Sequence, residues 1–156
     1  MKSAIAAGIL ALALWSPVQG QEGPPPCGPA AQLPSQFATN VAPDSRCFEL
    51  RMYTANTERD GVGDFERAID ELHQRFREQE VAIFERLGAE IVAVWQDLEN
   101  PNTLMWLLAY RDRGHREEVW AAFRSDPEWT ALRQKYPVGV SMQVFMMSAA
   151  DYSALK

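Results

Sequence analysis

Between Arg46 and Met147 the apolar residues switch between a spacing of two and a helical spacing, and that order of periods restricts the fold more than any single motif. Phe48, Leu50 and Met52 alternate with Cys47, Glu49, Arg51 and Tyr53, which is the period of a strand with one apolar face. Gly61-Val62-Gly63 reads as a turn and Asp64 as a helix cap. Phe65, Ile69, Leu72, Phe76, Ile83 and Leu87 then mark one stripe on a helix that Gly88 ends. Glu90 to Trp95 and Leu104 to Tyr110 read as a hairpin around Glu99-Asn100-Pro101-Asn102. Arg116 to Phe123 returns to helical spacing. Asp126 then caps a further helix that starts at Pro127 and closes at Pro137 and Gly139. Val140 to Met147 is the last strand. The order is β-α-β-β-α-β, a ferredoxin-like α+β unit in which one antiparallel sheet carries both helical segments on one face.

Two helical layers on one face leave the other face of the sheet uncovered. Ile91 to Trp95, Leu104 to Ala109 and Val144 to Met147 are nonetheless apolar at nearly every position, unlike the alternation of a half-wet sheet. The simplest cover is a second copy packed sheet to sheet about a two-fold axis, giving a homodimer. Net charge is −6 and no basic run exceeds two residues, so nucleic acid is not an expected partner.

The ends of the chain read differently from this middle. Lys2, the uncharged apolar run Ala4 to Trp15, the break at Ser16-Pro17 and the small residues Val18 and Gly20 form the pattern of a signal peptide over residues 1–20. That run is shorter than a membrane span, so no span is expected after cleavage, and the expected location is periplasmic or extracellular. Residues 21–45 carry six prolines and almost no charge, which predicts a disordered, polyproline-like tether. The folded domain is expected over residues 46–152. Cys27 in the tether and Cys47 at the first strand are the only cysteines. In an oxidising compartment they form a disulfide candidate, with two free thiols or a bond between chains as the alternatives.

Glu49-Leu50-Arg51-Met52-Tyr53-Thr54, Leu72-His73-Gln74-Arg75-Phe76-Arg77, Trp95, and the stretch from Leu107-Leu108-Ala109-Tyr110 through Trp120-Ala121-Ala122-Phe123 to Asp126-Pro127-Glu128-Trp129 resemble the NIPSNAP family. The resemblance covers about residues 46–152 and implies a dimeric α/β barrel. Its Pro-rich and signal-like start looks like that of an exported bacterial member. Many members carry histidines in the later part of the first helix, where this chain has Gln79 and Leu87.

Two groups stand out as candidate sites. Glu49, Arg51 and Tyr53 share one strand face, expected to point into the dimer barrel, with Gln143 as a further hydrogen-bonding group. They read as a structural ion pair or as the polar floor of a ligand pocket. Glu80 sits close to the apolar stripe of the first helix, with Arg77 as its expected partner and His73 on the same flank. It reads as a partly exposed pair or as a general base. No metal site is expected, because His73 and His115 stand alone without ligand spacing. No cofactor is expected either. A haem would have only those two histidines for an axial ligand. The expected function is therefore a homodimeric binding or interaction module with a small apolar ligand. The alternative is a small-molecule enzyme, cofactor-independent and oxygenase-like or haem-binding.

Overall fold

The computed structural model describes residues 27–58 and 64–156. The expected signal peptide, residues 21–26 of the expected tether and the Gly61-Val62-Gly63 turn lie outside the described residues. In chain order the elements are α1 (Ser35–Ala38), β1 (Cys47–Ala55), α2 (Ala68–Arg75), a π-helical turn (Phe76–Glu80), α3 (Val81–Arg86), β2 (Glu90–Gln96), β3 (Thr103–Tyr110), α4 (Arg113–Ser125), α5 (Pro127–Lys135) and β4 (Val140–Ser148).

The four strands form one antiparallel sheet in the order β2-β3-β1-β4. β1 is central because it pairs with β3 on one side and β4 on the other. Sequential β2 and β3 make the hairpin; the first helical segment carries the chain from β1 past β3 to the β2 edge, and the second carries it from β3 across β1 to β4. This is the ferredoxin-like α+β arrangement that the alternation of periods predicts.

The helices start and stop for local reasons. α2 begins at Ala68 rather than at Asp64, and its N-cap, Arg67, has no side-chain capping bond. α3 gives way to Gly88 at φ +100°, the left-handed region where a Cβ would be strained. Asp112 caps α4 by accepting from the His115 N–H. Asp126 caps α5 by accepting from the Glu128 and Trp129 N–H groups, and Pro127 fills the first position, where no N–H is needed.

Trp106 of β3 lies at the centre of the core, fully buried. Phe76 and Phe84 meet its ring edge-on at 5.1 Å each and Tyr53 at 5.6 Å, so two helical segments and β1 converge on one indole. Such T-shaped pairs add roughly 0.5–1.5 kcal/mol each beyond the area they bury. Phe84 in turn stacks on Phe123 of α4 at 4.0 Å, which ties the second crossover to the first.

The faces of β1 are the reverse of the expected ones. Glu49, Arg51 and Tyr53 pair across β3 with Leu108, Trp106 and Leu104, and all six side chains lie buried beneath the helices. The open face carries Phe48, Leu50 and Met52, with Met105 and Leu107 beside them on β3. The barrel-facing placement of the Glu49 cluster is therefore corrected. A polar stripe can go inward here because α4 brings donors to meet it.

Residues 27–45 also differ from the expected disordered tether. They fold as a short 3₁₀ turn (Ala30–Gln32), α1 and an isolated bridge between Val41 and Ala150. Cys27 and Cys47 are joined by a disulfide, with Cα atoms 4.8 Å apart. Ala42 is fully buried and its N–H donates to the Ala149 carbonyl, while the Gly28 N–H donates to Ser148 Oγ. Prolines suit this segment because its turns need fixed φ values and few donors. The composition signals lack of regular structure, and the covalent link and the β4 end supply the packing that composition alone withholds.

Candidate functional site

Glu49, the third residue of the central strand, has no exposure, and its carboxylate meets four donor side chains. Arg51, two residues along the same face, donates Nη1 to Oε1 at 2.9 Å. Arg116 and Trp120 lie one turn apart on α4, so both point at the same spot on the sheet. Arg116 forms a bidentate fork, Nη2 to Oε1 at 2.9 Å and Nε to Oε2 at 3.0 Å. Trp120 Nε1 donates to Oε2 at 2.9 Å, and the Tyr110 hydroxyl donates to the same oxygen at 3.1 Å. Burial, reinforced by the negative Glu49, pushes the Tyr110 hydroxyl well above its ordinary value, so it stays a donor.

A second buried pair lies nearby. Arg75 Nε donates to Glu80 Oε2 at 2.8 Å, and both side chains are almost wholly buried. In an α-helix residues five apart are about 140° apart around the axis and do not meet. The π turn over Phe76–Glu80 widens the winding at this point and brings Arg75 and Glu80 onto one side. The expected partner, Arg77, is exposed, and that pairing is corrected to Arg75. Burial pushes the Glu80 carboxyl up, against the pull of Arg75 and Arg51.

Between the helical layer and the β1–β4 half of the sheet runs a cleft of about 780 Å³, open along the β4 edge. Arg51 and Tyr53 of β1 form its floor, with Arg75 and Glu80 on the side of the π turn. Arg116, Trp120, Phe123 and Arg124 of α4 line one wall, and Trp129 and Arg133 of α5 continue it. Val138, Val140 and Met142 line the β4 side. The guanidinium of Arg51 lies 4.1 Å from the centre of the Trp120 ring, and that of Arg75 lies 5.2 Å from Trp129. Burial raises the Tyr53 hydroxyl far above its ordinary value, so Tyr53 presents a neutral O–H to the cleft.

Of the candidate residues, the structure brings Arg51, Tyr53 and Glu80 together on this cleft, with Glu49 directly behind Arg51. Gln143 pairs with Met52 on the opposite face of the sheet and is exposed, so it is not part of the group. His73 bonds through Nε2 to Gln96 at the β2 edge, away from Glu80. His115 Nδ1 accepts from the Arg111 N–H at the start of α4. Neither histidine lines the cleft, so the residues expected to hold a haem do not fit one there. Among the described residues no group of three His, Cys, Asp or Glu side chains is gathered for a metal.

The sequence reading missed Arg75, Arg116, Arg124 and Arg133. The four-residue spacing of Arg116 and Trp120 is a legible signal. That of Arg75 and Glu80 is not, because it depends on the π turn.

The fold and this site define a ferredoxin-like α+β domain with an open cleft between its helices and its sheet. Residues 48–154 match the NIPSNAP family model, and the chain belongs to that family. Two solved structures show the same fold. One is a NIPSNAP family protein of unknown function from Agrobacterium tumefaciens, 20% identical, with a TM-score of 0.60, covering 75% of this chain and 99% of that one. The other is an uncharacterized NIPSNAP domain protein from Burkholderia xenovorans, 18% identical, with a TM-score of 0.56, covering 69% of this chain and 97% of that one. No curated protein matches the chain.

Proposed function

We propose that this NIPSNAP protein is an exported, homodimeric small-molecule-binding module that takes its ligand in the cleft between the helices and the sheet. The observation that carries the reading is the cleft itself. Its volume of about 780 Å³ falls within the roughly 300–1,000 Å³ of small-molecule pockets, and it combines aromatic walls with a few fixed polar groups. Export is supported by the pattern of residues 1–20 and fits a chain whose two cysteines are bonded. Dimerisation is supported by the open sheet face, where Trp95 and Phe145 are 48% and 45% exposed and Leu50, Met52 and Met105 are half-buried.

A second reading is favoured by one observation. Glu80 faces the cleft, and burial raises its carboxyl, which is the setting of a general base in a small-molecule enzyme. Native mass spectrometry of protein recovered from the periplasm tests the main reading in one experiment. The expected spectrum shows a dimer with a retained small molecule and the two-hydrogen deficit of a disulfide in each chain. A ligand-free monomer, or absence from the periplasm, overturns the corresponding part. Turnover of the retained compound that Glu80→Gln abolishes moves the assignment to the enzyme.

A further inference from the structure

We infer that the ligand of this cleft is an organic anion, an apolar or aromatic carboxylic acid whose ionised head meets Arg51 and whose body lies against Trp120, Phe123 and Trp129. The inference rests on the cleft being the binding site and specifies what it takes.

The charge of the cleft opposes that of the chain. The protein carries a net charge of −6, yet five of its twelve arginines line this one cleft: Arg51, Arg75, Arg116, Arg124 and Arg133. Among the described residues the only carboxylate lining it is that of Glu80. With Glu49 counted as well, five guanidinium groups face two carboxylates, a surplus of three positive charges in a partly enclosed space where screening is weak.

Internal pairing does not use this surplus up. Glu80 takes Arg75, and the two oxygens of Glu49 take the fork of Arg116. Arg51 has only what remains. Its Nη1 shares Glu49 Oε1 with Arg116, its Nη2 points at the Met142 thioether at 3.1 Å, and its Nε has no hydrogen-bond partner. A thioether is a weak acceptor, so a guanidinium only 7% exposed is left under-satisfied on two of its three nitrogens. Burying such a group costs free energy that a methionine or leucine at this position would avoid. Met142 is 53% exposed on the edge strand, so an incoming carboxylate can displace its sulfur and take over Nη2.

The mouth repeats the preference. Arg124 at the end of α4 and Arg133 on α5 are exposed and line the opening. Neither is in an ion pair with a described residue, whereas exposed Arg86 of α3 and Lys135 of α5 are paired with acids. Two unpaired cations flanking an opening draw anions toward it, while the indole and phenyl walls behind them favour an apolar body. An inorganic anion would leave those walls wet.

The test uses the full mature chain and two matched pairs of probes, naphthoate against naphthamide and octanoate against octanamide. Binding is followed by thermal shift and by quenching of tryptophan fluorescence. The acids are expected to bind about tenfold or more tighter than their amides, and to weaken as salt rises from about 0.05 to 0.5 M. The double variant Arg124→Ala with Arg133→Ala changes two exposed, unpaired residues. It is expected to keep the parent melting temperature and to weaken acid binding about three- to tenfold, without affecting the amides. Arg51→Met is expected to abolish the preference for acid over amide. Amides that bind as tightly as acids overturn the inference and leave the cleft as the ligand site. Failure of all four probes at millimolar concentration overturns the cleft reading itself. Acid binding that neither variant alters places the anion site elsewhere and also overturns the inference.

Discussion

Glu49 on β1 accepts five hydrogen bonds from four side chains, so its contribution to stability is shared unequally among them. Removing one donor leaves the carboxylate held by the others. Removing the carboxylate strands two buried or half-buried guanidinium groups and the Tyr110 O–H together, and leaves the Trp120 N–H only the Tyr110 oxygen as acceptor. Glu49→Leu is therefore expected to cost about 3–5 kcal/mol, the range for breaking a buried ion pair from one side. Arg51→Met is expected to cost clearly less, because the fork of Arg116 and the Trp120 and Tyr110 bonds persist. Urea denaturation of the two variants measures the difference. Equal losses would mean that Arg51, rather than the shared acceptor, organises the cluster. The residue types were legible in the sequence, since Glu49 and Arg51 stand two apart on one strand. The direction they face was not. An apolar stripe normally turns toward the helices, and Phe48, Leu50 and Met52 satisfy that rule as written. What reverses it is the donor set on α4, whose partner on the sheet only the three-dimensional pairing identifies.

Element boundaries were most legible where the chain punctuates itself. Asp126 before Pro127 marks the start of α5, Gly88 follows the end of α3, and both are where the sequence predicts them. The π turn was invisible, because its effect is one of winding and leaves the residue types unchanged. Asp126 also makes a prediction at this scale, since it stands between α4 and α5 and fixes the angle at which the cleft's wall bends. Burial pushes its carboxyl up. The hydrogen bond from Arg86 and the N–H groups of Trp129 and Glu128 outweigh that and hold it below the ordinary carboxylate range. A carboxyl lowered in the folded state stabilises the protein above its unfolded value, near pH 4, and loses that contribution as pH falls through the folded one. Asp126→Ala is expected to cost about 1–2 kcal/mol at neutral pH. The cost should shrink in acid, because the parent protein loses the same contribution there. Denaturation curves for both proteins at pH 7 and pH 3 check this. A cost that stays constant with pH would assign the effect to the turn's backbone rather than to the charge.

At the scale of the whole molecule the two faces of the sheet are separate surfaces, and the proposed dimer can be tested without disturbing the cleft. Four strands of seven to nine residues, at about 3.3 Å per residue and 4.8 Å between strands, give an open face of roughly 500 Å². At one end of it Phe48 packs with Ala149, and Tyr152 and Leu155 line a shallow pocket with Phe48 and Leu107. The remainder carries Leu50, Met52, Met105, Trp95 and Phe145, enough apolar surface to mark an interaction face. Two whole faces packed together would bury at most about 1,000 Å², the low end of specific interfaces. Val144 and Phe145 are neighbours on β4 with nearly equal exposure, 40% and 45%, but they point to opposite sides. Val144 shares the helix side with Arg51, and Phe145 shares the open side with Leu50. Phe145→Asp is therefore expected to convert the dimer to a monomer in light scattering at micromolar concentration, with the helical circular dichroism retained. Val144→Asp, an equal insult at the adjacent position, is expected to leave the dimer intact. Loss of the dimer in both variants would point to the β4 edge as the interface, and loss in neither would remove the sheet face from the assembly altogether.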